Sequence, residues 1–327
     1  NRLVPQGGTG SSGASHFYNM KPLFMWAGGK TRLLKKYQES NGLPAKFDSY
    51  VEPFLGGGAM FVWAYNKNPD ALFYLNDSND SVMNIYRAIK HDVYKFIEIL
   101  DRYSAAYLLL EKADRKTYYY GLRHEHAFDY FKWSATEEAS ALYFLMKTGF
   151  NGIWQINKNT NNRFGTPSGL LNQKDKVYNK ENVMEWHKAL KNCTLFSGDF
   201  KDTLIHVAEN AYVFLDPPYR GSFTQYGVDF DDDLQKSVVQ YLNDSTAKGA
   251  YAIMSNRDIG DRFFEEMTGD NKLMYFDVTY TAGRRKKNKD GTHSAKKARE
   301  ILMIGRNNGK KESKARSCSN ARFDGAR

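Results

Sequence analysis

The chain has 327 residues, a formal net charge of +10 and two cysteines, and hydrophobic residues make up 41% of it. This composition excludes a disulfide-stabilised scaffold, allows a substantial hydrophobic core, and indicates a polyanionic partner. No apolar run is long enough to cross a membrane and no secretory leader is evident, so we expect a soluble, cytoplasmic protein.

Both ends of the chain differ in composition from the rest. Residues 1–19 are rich in glycine and serine and have no hydrophobic periodicity, so we interpret them as a tag or a disordered segment before Met20. Residues 307–327 are basic and polar. Two interpretations of this tail stay open: a disordered end, and a segment that contacts the phosphates of a nucleic acid.

Between these ends, strand-like and helix-like segments alternate. Segments 60–67, 81–90 and 231–248 are predicted to be helices. Seven apolar segments are predicted to be strands, at 50–54, 72–77, 194–199, 212–216, 250–256, 274–281 and 300–305. The alternation indicates an α/β fold with a largely parallel, doubly wound sheet. Only a short basic segment separates the last two strands, so we expect them to form a C-terminal antiparallel β-hairpin.

Residues 80–175 interrupt this alternation with a mostly helical pattern. We therefore predict a helical domain inserted into a sheet domain, with the sheet domain formed by residues 20–79 and 176–306.

One helix of the insert has clear boundaries in the sequence. Ser134 and Glu137 have capping-box spacing, apolar residues that include Leu142 follow on one face, and Gly149 is the predicted end. The next segment, "FNGIWQINKNTNNRFGTPSG" (150–169), is polar and rich in amides, which predicts a hairpin or loop that contacts a partner.

The stretch "VFLDPPYRG" (213–221) carries the strongest functional signal. Asp216 follows directly on a buried strand, and Pro217 and Pro218 have no N–H to donate to a sheet. A carboxylate, a carbonyl and the ring of Tyr219 are therefore held rigidly at a strand end. Ligands bind at this end of the strands in open α/β sheets.

Three other motifs are predicted to lie near the same edge of the sheet. "FMWAGGK" (24–30) combines an aromatic ring, two glycines and a lysine before a helix, and "VEPFLGGGAMF" (51–61) opens a helix with three glycines. In "YLNDSND" (74–80), Asp77 closes a strand. An acid there binds ribose hydroxyls in nucleotide-binding sheets, although an N-cap for the next helix fits nearly as well.

In this order the motifs resemble the Dam family of DNA adenine-N6 methyltransferases, the alpha or D12 class. The matching segments are "WAGGK", "VEPFLGGGAMF", "LNDSND", "FNG" with "TPSG", "SGDF", "VFLDPPY", "MSNRD" and the final basic hairpin. The resemblance implies a Rossmann-like sheet that binds S-adenosylmethionine, a helical target-recognition domain and double-stranded DNA as substrate. It implies no metal requirement, monomeric action, and a location inside a bacterial cell or a host infected by a phage or virus.

The resemblance also implies a mechanism. The Asp216 carboxylate and the Pro217 carbonyl accept the two N6 hydrogens of an adenine, which localises the nitrogen lone pair for attack on the donor methyl. Tyr219 stacks on the adenine, which has left the duplex. Pro217 and Pro218 fix the direction of the carbonyl. The site residues implied for the cofactor are Trp26, Ala27, Gly28, Gly29, Lys30, Glu52, Pro53, Phe54, Gly56, Gly58, Asn76, Asp77, Asp199, Phe200 and Asp216.

In the recognition segment, the resemblance implies that Phe150 and Asn151 enter the duplex near the target base. Residues implied to read flanking bases or to shape that segment are Gly152, Ile153, Gln155, Asn157 and Pro167. Members that read GATC carry a basic residue where this chain has Met25 and an arginine where it has Gln155. Because arginine prefers guanine and glutamine prefers adenine, we predict a recognition sequence other than strict GATC.

The basic run at 283–299 has two interpretations, a solvated loop and a clamp on DNA phosphates. Its position in the family's final hairpin favours the clamp. The expected contacts are Arg284, Lys286, Lys287 and Lys296.

The remaining motifs favour structural roles. The histidines of "HEH" (124–126) lack the spacing for one metal, and the acids of "DFDDD" (229–233) suit a helix N-terminus. The aromatic residues of this region are expected in the helical core, and they are Tyr118, Tyr119, Tyr120, Phe128, Phe131 and Trp133.

Two kinds of alternative stay open at this point. The same chemistry serves cytosine N4 or an adenine in RNA. A regulator that binds DNA without catalysis is a different class, and it is distinguished by needing no S-adenosylmethionine.

Overall fold

The computed structural model describes residues 20–26, 28–152, 154–221, 230–280, 286–287, 293–294 and 296–306. The chain divides into two compact units. The first contains the described residues up to 32 together with 56–71 and 79–195. The second contains 33–55, 72–78 and the described residues from 196 onward. Residues 80–175 thus lie in the first unit, and the predicted division into a catalytic and a recognition domain stays a prediction.

Helices and strands alternate along the described chain. Its helices are α1 (Thr31–Glu39), α2 (Ala59–Lys67), α3 (Asp80–His91), α4 (Val93–Leu108), α5 (Lys112–Phe128), α6 (Ala135–Thr148), α7 (Lys180–Leu190), α8 (Asp232–Ala247) and α9 (Phe263–Met267). Its strands are β1 (Ser49–Glu52), β2 (Leu72–Asp77), β3 (Ile156–Asn157), β4 (Arg163–Phe164), β5 (Cys193–Ser197), β6 (Ala211–Leu215), β7 (Tyr251–Asp258), β8 (Lys272–Tyr280), β9 (Lys286–Lys287), β10 (His293–Ser294) and β11 (Lys296–Ile304).

The main sheet has seven strands in the order β5-β2-β1-β6-β7-β11-β8. Strand β1 is parallel to β2 and β6, and β6 is parallel to β7, whereas β11 is antiparallel to both β7 and β8. The predicted α/β fold is confirmed, as is the antiparallel pairing of the last two predicted strands. Every residue of β6 is buried, as expected for a parallel strand covered on both faces.

The core of the second unit is built on the sheet. Val213 and Leu215 of β6, Val51 of β1 and Ile301 of β11 are fully or almost fully buried in one apolar cluster, to which Leu242 of α8 also belongs. Helix α8 packs against β6 and β7. Asp231 caps this helix by accepting a hydrogen bond from the Leu234 N–H, which confirms the predicted role of the acidic run.

The first unit is helical, and α6 lies at its centre against α3, α4 and α5. The predicted capping box of Ser134 and Glu137 is present, and the helix ends at Gly149. Residues 138–146 are all buried, so this helix is enclosed on every side rather than on one apolar face. Gly149 has an ordinary φ of −72°, and a Cβ there would lie only 2.8 Å from the Leu145 carbonyl oxygen. Lack of space therefore requires a glycine at this position.

The segment after α6 contains the predicted hairpin. Strands β3 and β4 pair in antiparallel fashion between residues 156–157 and 163–164. Asn161 and Asn162 occupy the turn with φ values of 53° and 54°. Asparagine tolerates this left-handed conformation better than other residues with a side chain, which explains the amide-rich turn.

The aromatic residues near the end of α5 are not all in the core. Tyr119 is fully buried, but 41% of Phe128 and 70% of Phe131 are exposed. The prediction that these two phenylalanines are core residues was wrong, because they lie at the last turn of α5 and in the short 3₁₀ turn that follows. Within the described parts of the chain, no helix is long and apolar enough to span a membrane.

Candidate active site

The segment that begins at Asp216 follows directly on β6, in the middle of the sheet. The strand ends at Leu215, because Pro217 and Pro218 have no N–H with which to extend the ladder. Since β1, β6 and β7 are parallel, Asp216 lies where the carboxyl ends of three strands meet. Asp216 and Tyr219 are half-buried and Pro217 is buried. A carboxylate and a peptide carbonyl thus adjoin at this edge of the sheet.

Two buried side chains hold the acid and the tyrosine of this segment. The Ser255 hydroxyl on β7 donates a hydrogen bond of 2.8 Å to Asp216 Oδ1. The Tyr219 hydroxyl donates one of 2.8 Å to Glu300 Oε2 on β11 and lies 3.3 Å from Ser255 Oγ. Ser255 is 0% exposed and Glu300 is 2% exposed. Burial first, and then the charges of Asp216 and Glu300, raise the pKa of Tyr219 well above its usual range, which keeps its hydroxyl protonated.

Two buried amides hold the backbone of the same segment. Gln235 Nε2 on α8 donates to the Pro218 carbonyl at 2.8 Å. Asn256 accepts a hydrogen bond of 3.0 Å from the Arg220 N–H and donates one of 2.9 Å to Gln235 Oε1. Both amide side chains are 0% exposed. The backbone between Pro218 and Arg220 is therefore fixed from two neighbouring elements.

Arg220 anchors the far end of the segment. Its guanidinium donates two hydrogen bonds to Asp232 at 2.6 and 2.8 Å, pairs with Asp261, and lies 4.0 Å from the centre of the Phe263 ring. The hydrogen bonds with Asp232 are the main cause that raises the pKa of Arg220 above its ordinary value. The side chain therefore acts as a fixed charged anchor.

The loops after β1, β2 and β5 are joined by one buried amide. Asn76 Nδ2 donates to the Pro53 carbonyl at 2.9 Å and to the Gly198 carbonyl at 3.2 Å. Glu52 is also buried and accepts a hydrogen bond of 2.8 Å from the Tyr50 hydroxyl. Burial and the charge of Glu52 raise the pKa of Tyr50 well above its usual range. These contacts bring together the ends of β1 and β2, which the sequence predicted to converge, and the end of β5.

Other predicted cofactor residues of the second unit lie at these loops. The rings of Phe54 and Phe200 pack with their centres 5.1 Å apart, and Phe200 belongs to the core. Asp199 is exposed and accepts a hydrogen bond from a backbone N–H two residues on. Asp77 is half-buried at the end of β2, and Asn79 rather than Asp77 caps α3. The N-cap alternative for Asp77 was therefore wrong.

The glycine-rich motifs of the first unit pack against aromatic rings. A Cβ on Gly56 would lie 2.7 Å from the indole of Trp26, and one on Gly58 would lie 2.4 Å from Trp186. Their φ values of 48° and 71° also favour glycine. The Gly56 carbonyl accepts a hydrogen bond of 2.8 Å from the Tyr86 hydroxyl. Close approach of indole rings by itself explains why these positions carry glycine.

The "WAGGK" motif forms a tight turn in the same unit. The Gly29 N–H donates to the Trp26 carbonyl at 3.0 Å. Lys30 is 2% exposed, and its Nζ donates to the Gly28 carbonyl at 2.6 Å. Ala27 lies outside the described residues.

The structure brings the two ends of the predicted recognition segment together. The Phe150 N–H donates to the Pro167 carbonyl at 2.9 Å, and 43% of Phe150 is exposed. Asn151 has a φ of 52°, in the left-handed region. Gln155 is half-buried, and its carbonyl accepts a hydrogen bond of 2.7 Å from the Gly165 N–H. Phe150, Gln155 and Pro167 of the predicted DNA-reading set therefore lie on one folded hairpin and its base.

The other predicted DNA contacts are only partly described. Gly152 is buried against Met25, and Asn157 Oδ1 accepts a hydrogen bond of 2.8 Å from the Asn159 N–H. Ile153 and Arg284 lie outside the described residues. Only the backbone strands are described for Lys286, Lys287 and Lys296.

Helix α5 supports this hairpin by hydrogen bonds to its backbone. The Tyr119 hydroxyl donates to the Thr166 carbonyl at 2.9 Å. Arg123 Nη1 donates to the Gly165 and Thr166 carbonyls at 2.9 and 3.0 Å. Sequence analysis assigned no role to Arg123, because its partners lie more than forty residues away.

A buried charged cluster holds strand β4 as well. Glu138 Oε1 on α6 accepts hydrogen bonds from His126 Nε2 at 2.9 Å and from Arg163 at 2.7 Å, and Asn84 donates to Oε2 at 2.7 Å. Burial lowers the pKa of His126. Burial alone raises the pKa of Glu138, but the contacts with His126, Asn84 and Arg163 outweigh it and hold that pKa below its ordinary value. Throughout the described chain, no group of acids, histidines and cysteines is arranged to hold a metal ion.

Sequence analysis also missed the residues that hold the segment after β6, which are Ser255, Asn256, Gln235 and Glu300. The first two stand in the "MSNRD" motif that was assigned to no chemistry. An acid at the start of the apolar run "EILMIG" was the available signal for Glu300, since an acid that enters a buried strand needs a partner.

Comparison with known proteins agrees with this geometry. The family model for the D12 class N6 adenine-specific DNA methyltransferase matches residues 26–282. The type II methyltransferase M.MjaIII of Methanocaldococcus jannaschii is 31% identical over 263 residues, which cover 77% of this chain and 89% of the relative. M1.LlaDCHI of Lactococcus lactis is 28% identical over 281 residues, which cover 82% and 91%. M.CviBI of Paramecium bursaria Chlorella virus NC1A is 33% identical over 212 residues, which cover 64% and 72%. The resemblance read from the motifs is confirmed, and the chain belongs to the D12 class of N6 adenine-specific DNA methyltransferases.

Proposed function

We propose that Asp216 and Pro217 are the catalytic residues that bind the N6 amino group of an adenine rotated out of duplex DNA, with S-adenosylmethionine as methyl donor. The observation that carries the proposal is the arrangement after β6. The Asp216 carboxylate is held by Ser255, and the backbone that follows is held by Gln235 at the Pro218 carbonyl. An amino group has two hydrogens, and this segment offers a carboxylate and a carbonyl as two adjacent acceptors.

The chemistry follows from these acceptors. The lone pair of an adenine amino group is delocalised into the ring, so the group is a weak nucleophile. Acceptance of both hydrogens localises the lone pair on N6. The negative Asp216 stabilises the positive charge that develops there as the methyl passes from the sulfonium of the donor, which would leave as S-adenosylhomocysteine, and N6 becomes neutral again by releasing one proton to solvent. The Tyr219 ring, held through its hydroxyl by Glu300, provides a surface on which the base stacks.

The second unit contains groups that suit the cofactor. Phe54 packs on Phe200 and lines the cofactor, Asp199 and Phe200 bracket its adenine ring, and Asp77 at the end of β2 accepts hydrogen bonds from its ribose hydroxyls. S-adenosylmethionine supplies a methyl group on a sulfonium, so the transfer needs no metal. The residues of the "WAGGK" motif and of the glycine-rich helix start remain proposed contacts of the same cofactor.

We further propose that the β3–β4 hairpin reads bases and that the basic C-terminal strands contact phosphates. The support is the exposed Phe150 at the base of the hairpin, the left-handed Asn151, and the net charge of +10. Gln155 in place of an arginine supports a recognition sequence other than strict GATC. Monomeric action in the cytoplasm of a bacterial or virus-infected cell stays a prediction.

The test is long-read sequencing of plasmid DNA from a methylation-deficient host that expresses the chain. We expect N6-methyladenine in one sequence motif, absent from cells that express Asp216→Ala. Asp233→Ala is the matched control, because Asp233 is an exposed acid of the same unit, and we expect it to leave the mark in place.

The outcomes separate the competing functions. Methylcytosine at N4, or a mark confined to RNA, would contradict adenine in DNA as the substrate. A protein that binds DNA, leaves no methylated base and does not bind S-adenosylmethionine would favour a DNA-binding regulator. Methylation confined to GATC would contradict the prediction drawn from Gln155 and leave the catalytic proposal standing.

A further inference from the structure

We infer that Ser255 and Glu300 are positioning residues for methyl transfer, which set the planes of the Asp216 carboxylate and the Tyr219 ring through one chain of partly buried hydrogen bonds. This inference rests on the catalytic roles proposed above for Asp216 and Tyr219. Neither Ser255 nor Glu300 is expected to touch the substrate, so each acts through its neighbour.

One arrangement of protons is consistent with all three contacts of this chain. Each hydroxyl has a single proton to donate. The Ser255 proton goes to Asp216 Oδ1 at 2.8 Å, and the Tyr219 proton goes to Glu300 Oε2 at 2.8 Å. The remaining contact, between the two hydroxyl oxygens, is longer at 3.3 Å and needs no proton. Both carboxylates therefore receive a hydrogen bond from a fixed hydroxyl.

These hydrogen bonds restrict side-chain torsion angles that otherwise vary widely. The terminal torsion of an aspartate and the ring torsion of a tyrosine have broad, roughly two-fold preferences. Ser255 restricts the plane of the Asp216 carboxylate, and an acceptor in the wrong plane does not localise the amine lone pair. Without an acceptor at Glu300, the hydroxyl of Tyr219 loses its 2.8 Å hydrogen bond, and its contact with Ser255 is the longer one.

The sheet register explains how the two residues meet. Ser255 of β7 stands opposite Leu302 of β11, and Glu300 lies two residues from Leu302. Residues two apart in a strand point to the same face, so Ser255 and Glu300 are diagonal neighbours on one face of the sheet. The antiparallel insertion of β11 beside β7 is therefore what brings an acid to the proposed catalytic segment.

Burial of Glu300 argues for a role beyond stability. A carboxylate at 2% exposure is costly to desolvate, and replacement of such groups by apolar residues of similar size is often neutral or stabilising. Glu300 begins an otherwise apolar buried run, where a methionine or leucine suits folding better. A function in holding the Tyr219 hydroxyl explains why an acid stands there.

The test compares Ser255→Ala with Ser245→Ala. Ser245 is the matched control, because it is also 0% exposed in the same unit but donates to a carbonyl of its own helix. We expect Ser255→Ala to lower kcat about 10- to 100-fold, with the KM for DNA, the equilibrium binding of S-adenosylmethionine and Tm close to wild type. Ser255→Thr keeps the hydroxyl, and we expect it to restore kcat to within about threefold of wild type. Ser245→Ala is expected to leave kcat unchanged.

Glu300 is tested by two replacements in the same assay. Glu300→Gln keeps an oxygen acceptor, and we expect kcat within about threefold of wild type. Glu300→Met removes the acceptor at similar volume, and we expect about a tenfold loss of kcat at unchanged cofactor binding. In a protein that already carries Asp216→Asn, Ser255→Ala is expected to cause no further loss of kcat. The effects of substitutions at residues that act as a unit are not additive.

The outcomes distinguish this inference from the proposed function. A wild-type protein that transfers no methyl group to adenine overturns the proposed function and this inference together. An active wild type with Ser255→Ala and Glu300→Met at wild-type kcat overturns the inference alone. A loss of kcat in Ser255→Ala that Ser255→Thr does not restore, with cofactor binding and Tm lowered in proportion, indicates a purely structural role and also overturns it.

Discussion

The segment after β6 and the β3–β4 hairpin both carry residues proposed to contact DNA, but they are held in different ways. After β6, the side chains themselves are held, as Ser255 binds the Asp216 carboxylate and Glu300 binds the Tyr219 hydroxyl. In the hairpin, Arg123 and Tyr119 bind main-chain carbonyls. The first arrangement fixes functional groups as well as the backbone, whereas these contacts of Arg123 and Tyr119 fix a backbone alone.

This difference matches the two tasks. Methyl transfer requires particular acceptors in particular planes, so a change in a supporting side chain is expected to alter the rate. A hairpin held by its carbonyls keeps its path when its side chains change. We therefore expect Gln155, which is proposed to read bases, to be replaceable without loss of the hairpin, so that recognition could vary on one scaffold. The following predictions test that contrast, from the largest expected effect to the smallest.

Asp216→Asn is expected to lower kcat about 10³-fold, because the amide presents hydrogens toward an amine that needs acceptors. Single-turnover methylation of duplex DNA measures the rate, and equilibrium binding of S-adenosylmethionine is expected to stay within twofold. Asp233→Asn, at an exposed acid of α8, is the control. Retention of more than a tenth of wild-type kcat in Asp216→Asn would contradict the proposed role.

Arg123→Ala is expected to raise the KM for DNA about tenfold with kcat within twofold, and to lower the free energy of unfolding by about 2 kcal/mol, since two hydrogen bonds from a charged donor are lost. Steady-state kinetics and chemical denaturation check both values. Lys116→Ala, at an exposed position of the same helix, is the control. If kcat falls while KM is constant, the proposed separation between the two regions is wrong.

Gly149→Ala and Gly121→Ala test the base of the hairpin. A methyl group at Gly149 would lie 2.8 Å from the Leu145 carbonyl oxygen and 3.1 Å from the Tyr119 hydroxyl, so we expect a loss of about 1–3 kcal/mol in the free energy of unfolding. At Gly121 no atom lies within 4 Å of the added methyl, and we expect a gain of about 0.5–1 kcal/mol from helix propensity. Equal effects in the two variants would contradict the steric explanation.

Low pH is expected to lower the free energy of unfolding, because the cluster of His126, Glu138 and Arg163 that holds strand β4 of the hairpin takes up protons. Because burial lowers the pKa of His126 below 6.5, the unfolded chain binds more protons below that pH, so stability falls as the pH drops from about 6.5. The lowered pKa of Glu138 adds a further loss below about pH 4.5.

In the wild type, the free energy of unfolding is expected to fall as the pH drops from about 6.5 to about 5. His126→Gln is expected to reduce the slope of this fall by at most about 1.4 kcal/mol per pH unit. Denaturation at several pH values measures it, and His124→Gln, at an exposed histidine of the same helix, is the control. An unchanged slope in His126→Gln would show that this cluster does not set the acid sensitivity.

Much of the fold and the candidate segment was predictable from local pattern. The seven main strands, the capping box of α6 and the strand end at Asp216 follow from hydrophobic period, capping spacing and the chemistry of proline. Phe128 and Phe131 were predicted to be core residues because both are apolar. Composition does not show that α5 ends at Phe128 and that Phe131 lies in the short turn after it. Gly56 and Gly58 stay predicted cofactor contacts, and the packed indole rings of Trp26 and Trp186, which no local pattern reveals, also require glycine there.

The sequence by itself determined the succession of strands and helices along the chain. It also determined the convergence of the ends of β1, β2 and β6 and the identity of the acid, carbonyl and ring at the end of β6. Only the tertiary structure decided which groups hold them, since Ser255 and Glu300 reach their partners across 39 and 81 residues of chain. The physical reason is that hydrophobic period and capping act within a few residues. A hydrogen bond between distant side chains depends on strand order and register, which no single segment specifies.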